Sequence, residues 1–131
     1  MARRKTRTLT EVELEFMQVL WALGGATTEE VQEVLRRQGR ELADGSIRKV
    51  LSILVEKGYA ARQPKGRAFV YAAKVAEREA NRSLVHDLLT RAFDGSAALL
   101  VASLLGSDSV RPKDLEAIKR LIAEREREGR R

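Results

Sequence analysis

Cysteine is absent from this chain of 131 residues, and histidine occurs once, at His86. Without cysteine there is no disulfide framework, thiol nucleophile or thiolate metal site, and a single histidine nearly excludes zinc clusters and Ser-His-Asp chemistry. The sequence also lacks a phosphate-binding glycine motif and a supported pair of catalytic carboxylates. We therefore expect a protein that is not an enzyme and that uses no cofactor or metal.

Long hydrophobic runs are lacking as well. No apolar stretch approaches the roughly 18 residues that a membrane span needs, and no apolar signal-peptide core follows the basic start of the chain. Proline (two residues) and glycine (nine) are too few for a disordered or fibrous chain, whereas 44% hydrophobic residues are enough for a folded core. These features predict a cytoplasmic protein with no stable membrane association.

The charged residues are unevenly placed along the chain. Residues 1–8 carry four basic side chains and no acid, residues 9–42 carry seven acids and three bases, and residues 43–67 carry six bases and two acids. Two basic segments that flank an acidic one are typical of a protein with one surface facing nucleic acid. Two interpretations remain open for the basic residues at the N-terminus, which either enter a minor groove or form a solubilising leader: Arg3, Arg4, Lys5 and Arg7.

Apolar residues recur at helical intervals in three segments of the first half of the chain. A capping box formed by Thr10 and Glu13 is predicted to open the first helix, and Asp44 is predicted to cap the third. The predicted helices cover residues 10–23, from 27 or 28 to about 38, and about 44–57, with Gly58 ending the third.

Short extended segments follow the third helix. Residues 59–63 and 67–73 flank Pro64-Lys65-Gly66, a turn in which proline sets φ and glycine permits a positive φ. Phe69 and Tyr71 share one side of the second strand and are expected to pack against the helices. Three helices followed by a β-hairpin form a winged helix-turn-helix, so residues 1–74 are predicted to be a DNA-binding domain with residues 1–8 as a basic arm.

Helical periodicity resumes after residue 75. The segment 97–105 is apolar on every side, which implies burial all round, and Pro112 suits the first turn of a last helix. Three helices of this kind cannot bury their apolar side chains alone, so they pack either on the first domain or on a second copy of the chain. A second copy would also double the DNA contacts, and residues 75–131 are therefore predicted to form a dimerisation domain. The residues assigned to the contact between the two copies are Leu88, Phe93, Leu99, Leu100, Leu104, Leu115, Ile118 and Ile122.

The third helix and the hairpin carry the side chains that suit DNA. Arginine, lysine and serine match guanine, phosphate and other base edges in a major groove. Basic side chains at a hairpin tip contact phosphates without reading sequence. The predicted DNA contacts are Ser46, Arg48, Lys49 and Ser52 in the recognition helix (about 44–57), and Arg62, Lys65 and Arg67 in the wing (62–67).

Several segments between Leu9 and Ile122 also form a pattern through their order and spacing: Leu9-Thr10-Glu11-Val12-Glu13, Val19-Leu20-Trp21, Ser46-Ile47-Arg48, Leu54 to Gly58, and Phe93-Asp94-Gly95-Ser96 ahead of an apolar helix. Together they resemble the penicillinase-repressor family (the BlaI/MecI type, with its copper-responsive CopY relatives). The resemblance implies a homodimeric transcriptional repressor that binds a palindromic operator of double-stranded DNA. It also implies a mainly α fold with a small β-hairpin, in which a winged helix precedes a three-helix dimerisation domain.

This chain departs from the family pattern at four points. Lys49 stands where members commonly have threonine and Ile53 where they have arginine, so the operator sequence does not follow from the resemblance. In the β-lactam branch a membrane sensor-protease triggers cleavage at an Asn-Phe pair, whose place is taken here by Ser103-Leu104. The copper branch carries a C-terminal cysteine cluster, which this chain lacks.

Two alternatives to a repressor released by proteolysis remain open. One is a winged-helix regulator that is switched by a small ligand held between its domains, and ligand-induced thermal stabilisation would favour it. The other is a winged-helix module that binds protein instead of DNA. The basic face around Arg48 and Lys49 argues against the second alternative.

Overall fold

The computed structural model describes residues 8–130 of the chain. The protein is mainly helical with one small antiparallel hairpin, which confirms the predicted fold class. The N-terminal basic residues assigned to an arm (Arg3, Arg4, Lys5 and Arg7) lie outside the described residues. The elements are α1 (Glu11–Leu23), α2 (Thr28–Arg37), α3 (Asp44–Lys57), β1 (Ala60–Lys65), β2 (Ala68–Ala73), α4 (Glu77–Ala92), α5 (Ala97–Leu105) and α6 (Pro112–Gly129).

Capping boxes open the first two helices. Thr10 Oγ1 accepts a hydrogen bond from the backbone N–H of Glu13 at 3.1 Å, and the Thr10 N–H donates to Glu13 Oε1 at 2.9 Å. Thr27 and Glu30 make the same reciprocal pair at 3.2 and 2.9 Å. The box predicted for α1 is confirmed, and of the two threonines considered for α2 the structure selects Thr27.

The start of α3 differs from the prediction. Ala43 occupies the N-cap position and offers no side-chain hydrogen bond, so Asp44 is the first helical residue and not the cap. Asp44 still carries its charge at the positive end of the helix dipole, and its carboxylate accepts a hydrogen bond from Arg48 one turn later. The end of α3 matches the prediction, because Gly58 adopts a left-handed φ of 86°.

The hairpin loop is also displaced from its predicted position. Lys65 pairs with Ala68 in the β1–β2 ladder, which leaves Gly66 and Arg67 as a two-residue loop. Pro64 and Lys65, predicted to be in the turn, therefore belong to β1. A φ of 65° at Gly66, the first loop position, suits the tight loops that join twisted strands, and proline is tolerated in a strand at the edge of a sheet.

The core of the winged helix forms where the three helices meet the hairpin. The large side chains that are fully buried there are Phe16, Met17, Leu20, Val31, Leu35, Ile47, Leu51 and Leu54. Tyr71 of β2 is buried against them as predicted, whereas Phe69 is 41% exposed. Phe69 lies closer to the tip of the hairpin, contacts Arg62 and is not part of the packed core, so its predicted packing against the helices is wrong.

The chain divides into two compact units, the first ending at Asp87 and the second beginning at Leu88. The division falls within α4, and the boundary after residue 74 remains a prediction about which segment dimerises. In the second unit Ser96 caps α5 by accepting a hydrogen bond from the backbone N–H of Leu99 at 3.1 Å. No described residue of this unit is buried, although α5 is almost wholly apolar.

Candidate nucleic-acid interface

The inner face of α3 fixes the helix in the winged-helix core. Ile47, Leu51 and Leu54 are fully buried, and they project from α3 within an arc of about 60° at 100° per residue. This narrow apolar stripe sets which side chains of α3 face outward. The prediction of the stripe from its spacing is confirmed at these three positions.

Two polar contacts hold the loop that leads into α3. Gln32 Nε2 of α2 donates to the carbonyl oxygen of Leu42 at 3.0 Å. Arg40 Nη2 lies 2.9 Å from Glu15 Oε1 of α1. The first contact joins residues that are 10 positions apart in the sequence, and the second joins residues that are 25 positions apart. Sequence analysis missed them because no local pattern pairs side chains at such separations.

The outer face of α3 brings together the four side chains that were assigned to DNA. All four are exposed and lie within the first nine of the fourteen helical residues. At 100° per residue they occupy an arc of about 160° on the side opposite to the buried stripe. The arrangement offers hydroxyl, ammonium and guanidinium donors to one ligand surface, from Ser46, Arg48, Lys49 and Ser52.

Arg48 is held by an ion pair on this surface. Its Nε donates to Asp44 Oδ2 at 2.8 Å, and the two side chains are 66% and 55% exposed. An exposed pair of this kind contributes little to the free energy of unfolding. Its main effect is to restrict where the guanidinium of Arg48 points. Sequence analysis named both residues but not their pairing, for which the (i, i+4) spacing of opposite charges was the available signal.

The wing presents its basic side chains on different surfaces. Arg62 lies opposite Tyr71 in the ladder, while Lys65 lies three residues further along β1 and so on the other face of the hairpin. Arg67 is in the loop itself. The guanidinium carbon of Arg62 lies 4.5 Å from the centre of the Phe69 ring, a cation–π contact that the sequence analysis did not predict. The residues from 61 to 69 are all exposed.

A single bridge attaches the wing to the start of α2. The Ala26 N–H donates to the Tyr71 carbonyl at 2.9 Å, and the Tyr71 N–H donates back to Ala26 at 2.8 Å. Gly25 lies directly beneath the hairpin, where an added Cβ would come within 3.5 Å of Val70. The wing is therefore anchored at its base, while its tip projects from the protein. Ala26 is the only described residue on its side of this bridge, so no alternation typical of a strand marks it in the sequence.

A polar cluster joins α1 to the junction of α3 and the wing. Lys57 Nζ lies 2.7 Å from Glu13 Oε1, whose carboxylate is buried. Burial raises the pKa of the neighbouring Tyr59 phenol above its ordinary value, because the phenolate would lose its solvation there. The negative charges of Glu13 and Glu79 act in the same direction on the pKa, and a hydrogen bond with Ser83 opposes them. These contacts join α1 to the base of the wing, and none of them involves a side chain that was assigned to DNA.

Other kinds of site have little support in the part of the chain that the structure describes. Residues 8–130 contain no group of three or more His, Cys, Asp or Glu side chains arranged to hold a metal ion. Over the same range no helix taken alone is long and apolar enough to cross a membrane, and α4 with α5 satisfies length and composition only as a bent pair. His86 is exposed on α4, as expected for a surface histidine.

Seven of the eight residues assigned to dimerisation lie on α4, α5 and α6, and Phe93 directly follows the end of α4. Phe93, Leu100 and Ile118 are half-buried within their unit. The other five are 39–56% exposed: Leu88, Leu99, Leu104, Leu115 and Ile122. Sequence analysis did not assign Leu105 and Leu121 to the contact, although they are 50% and 63% exposed. The bond between Ser103 and Leu104 lies inside α5, and both side chains are exposed.

Comparison with known proteins agrees with the family resemblance. The family model for the penicillinase repressor matches residues 9–124. The penicillinase repressor of Bacillus licheniformis is 25% identical over 121 residues, which cover 92% of this chain and 94% of that protein. The solution structure of the DNA binding domain of the repressor BlaI is 30% identical and covers 54% of this chain and 85% of its own, with a TM-score of 0.49.

A second solved structure is similar over a longer range. The complex structure of hsRosR-S4, from H. salinarum, covers 95% of this chain and 95% of its own at 20% identity, with a TM-score of 0.52. At this identity the likeness concerns the fold alone. The family match itself extends over most of the sequence. The chain therefore belongs to the penicillinase repressor family, whose members are DNA-binding transcriptional repressors and not enzymes.

Proposed function

We propose that this protein represses transcription in the cytoplasm as a homodimer that occupies a palindromic operator. One α3 helix enters the major groove of each half-site, and each wing lies along the neighbouring backbone. The observation that carries the proposal is the outer face of α3, where exposed donors stand directly opposite the fully buried stripe. A helix anchored in this way presents base-reading groups on a rigid element.

On the outer face of α3, the side chains divide by chemistry into base readers and phosphate binders. Arg48 suits O6 and N7 of guanine, and Lys49 suits guanine or phosphate. Ser46 and Ser52 donate to base edges or to phosphate oxygens. Ile53, which is half-buried on this helix, is proposed either to contact a thymine methyl group or to cover the edge of the core. Sequence reading is therefore assigned to α3.

On the wing, Arg62, Lys65 and Arg67 are assigned to backbone phosphates. Their exposure and their position on a projecting hairpin support contacts that depend on charge and not on base sequence. Lys65 and Arg62 lie on opposite faces of the hairpin, so they reach phosphates on different sides of it. The wing thus supplies affinity and orientation, while α3 supplies discrimination.

The occupant proposed for the apolar surface of the second unit is a second copy of the same chain. Five of the eight assigned side chains are at least 39% exposed in the single chain, and apolar surfaces of this extent mark interaction sites. A two-fold dimer would cover the surface of both copies and present two recognition helices to one palindrome.

Release from the operator is proposed to follow cleavage between Ser103 and Leu104 by a membrane sensor-protease. Both residues are exposed on α5 in the single chain. A cut there would separate α6 from the rest of the chain and divide the set of side chains assigned to the dimer. Replacing Ser103 and Leu104 by prolines to block cleavage would break α5 as well, so its effect would be ambiguous. Mass spectrometry of the protein from induced cells tests cleavage directly. An intact chain after induction would contradict this mode of release.

The test of DNA binding is fluorescence anisotropy of labelled duplexes over a salt series. One duplex carries a palindrome from the upstream region of the protein's own gene, and the other carries its scrambled sequence. We expect two protomers per palindrome, a strong preference over the scramble, and an affinity that falls as salt rises. Binding to neither duplex at low salt would overturn the proposal in favour of a protein-binding module. Stabilisation and loss of DNA binding with a small molecule would favour a ligand-switched regulator.

A further inference from the structure

We infer that Asp44 determines operator specificity as a positioning residue that acts through Arg48. The inference rests on the proposed function, since it assumes that α3 reads DNA. Asp44 is the first residue of α3, at the end of the helix that leads into the groove. Its carboxylate is the only acidic group of the described chain that is hydrogen-bonded to a side chain assigned to DNA.

The geometry of the pair selects how Arg48 can meet a base. Asp44 Oδ2 accepts the hydrogen bond from Nε at 2.8 Å. The two terminal nitrogens of the guanidinium are left as a fork, and a fork of this kind matches O6 and N7 of guanine. A long side chain held in one direction before binding loses less conformational freedom on binding. Asp44 therefore favours end-on recognition of a base pair by Arg48.

The charge of Asp44 discourages the competing contact. A phosphate that approached the same guanidinium would come close to a second negative charge, and like charges repel. The O6 and N7 acceptors of guanine carry only partial negative charge, so the repulsion there is weaker than at a phosphate. Asp44 is thus expected to weaken binding of Arg48 to any backbone while it leaves the contact with guanine in place. The consequence is a gain in discrimination at the expense of affinity for other sequences.

The Asp44–Arg48 pair contributes little to the stability of the fold, so its role in recognition can be tested separately from its effect on stability. Asp44 and Arg48 are more than half exposed, and neither belongs to the core. The capping of α3 does not depend on Asp44, since Ala43 is the N-cap residue. Asp44→Asn keeps the size of the side chain and removes its charge. We expect its thermal unfolding temperature to fall only slightly, because an exposed ion pair and an exposed charge near the N-terminus of the helix are lost.

The experiment compares Asp44→Asn with Glu56→Gln. Glu56 is an exposed acid of the same helix, about 18 Å further along its axis. The probes are a duplex that the unaltered protein selects from a random pool and its scrambled version. We expect Asp44→Asn to bind the scramble more tightly and to lose about tenfold of its preference. Glu56→Gln should shift both affinities by the same factor. If Asp44→Asn does the same, Asp44 acts only through overall charge and the inference is overturned.

A second pair of variants tests whether Asp44 acts through Arg48. In an Arg48→Ala background, Asp44→Asn should leave the remaining preference unchanged, since its partner is gone. An equal loss of preference with and without Arg48 would overturn the positioning role. Failure of the unaltered protein to select or bind any duplex would overturn the proposed function and this inference together. A selective unaltered protein with an equally selective Asp44→Asn variant would overturn this inference alone.

Discussion

At the scale of single residues, Arg48 is the side chain on which base discrimination is proposed to depend. Arg48→Ala is expected to weaken binding to the preferred duplex by about 1–3 kcal/mol and to reduce the preference over a scrambled one, because a bidentate contact with guanine is lost. Anisotropy titrations of both duplexes measure the two affinities. Arg37→Ala is the matched control, since Arg37 is also an exposed arginine paired with an acid four residues earlier. Equal losses on both duplexes would identify Arg48 as a phosphate contact.

For single residues, the sequence predicted which side chains are exposed on α3 better than it predicted which side chains pair with each other. Ser46, Lys49 and Ser52 are exposed as predicted, because helical periodicity separates polar from apolar faces whatever the tertiary contacts. The pairing of Asp44 with Arg48 depends on rotamers, which spacing permits but does not determine. Asp44 was predicted to cap its helix because acidic residues favour that position, and the chain instead enters α3 one residue earlier.

At the scale of elements, the wing is expected to bind DNA through charge. Lys65→Ala should weaken binding to all sequences by a similar factor and should reduce the slope of log affinity against log salt by about one, because one phosphate contact is lost. Titrations at several salt concentrations give the slope. Lys119→Ala removes the same charge from an exposed position on α6 and should leave the slope unchanged. An unaltered slope in Lys65→Ala would place the tip of the wing outside the DNA interface.

The N-terminus of α2 offers a second test at this scale, on stability. Thr27→Ala should lower the free energy of unfolding by about 1 kcal/mol, because the N–H of Glu30 loses its capping acceptor. Thr28→Ala removes a hydroxyl one residue later, where no cap bond is made, and should change stability by less than about 0.5 kcal/mol. Urea unfolding of the two variants measures both free energies and shows which threonine caps α2. A larger effect at Thr28 would contradict the capping assignment.

The order of elements was predictable because most boundaries of the first unit carry a local signal, the start of α3 being an exception. Thr10 and Gly58 mark helix ends through side-chain capping and a left-handed φ, which act within a few residues. The hairpin was predicted correctly, but its turn was placed too early in the sequence. Pro64 and Gly66 both favour turns, and only the pairing of the two strands determines that Gly66 lies in the loop. The bridge from Ala26 to Tyr71 joins positions far apart in the chain and leaves no periodic trace.

At the scale of the whole molecule, the apolar C-terminal helices were predicted to need a partner, and none of the described residues of the second unit is buried. Composition alone led to this expectation, because an apolar surface on three short helices exceeds what they can cover among themselves. Which side chains would meet in the proposed dimer depends on the position of the second copy. This is why Leu105 and Leu121 were left out of the assigned contact, although they are as exposed as its members.

The homodimer is tested by placing a charge in the assigned contact. Leu99 is 56% exposed on α5, so Leu99→Glu should not disturb the fold of the single chain, but a dimer would bury the new carboxylate without a partner. We expect the dimer dissociation constant to rise by about a hundredfold, which corresponds to roughly 2.8 kcal/mol. Sedimentation velocity over a concentration series measures the change. Val12→Glu, at a 37% exposed position on α1, is the control and should remain dimeric. An unchanged dimer dissociation constant in Leu99→Glu would exclude Leu99 and its part of α5 from the interface. A monomeric Leu99→Glu variant that still binds single half-sites would show that dimerisation and base reading are separate.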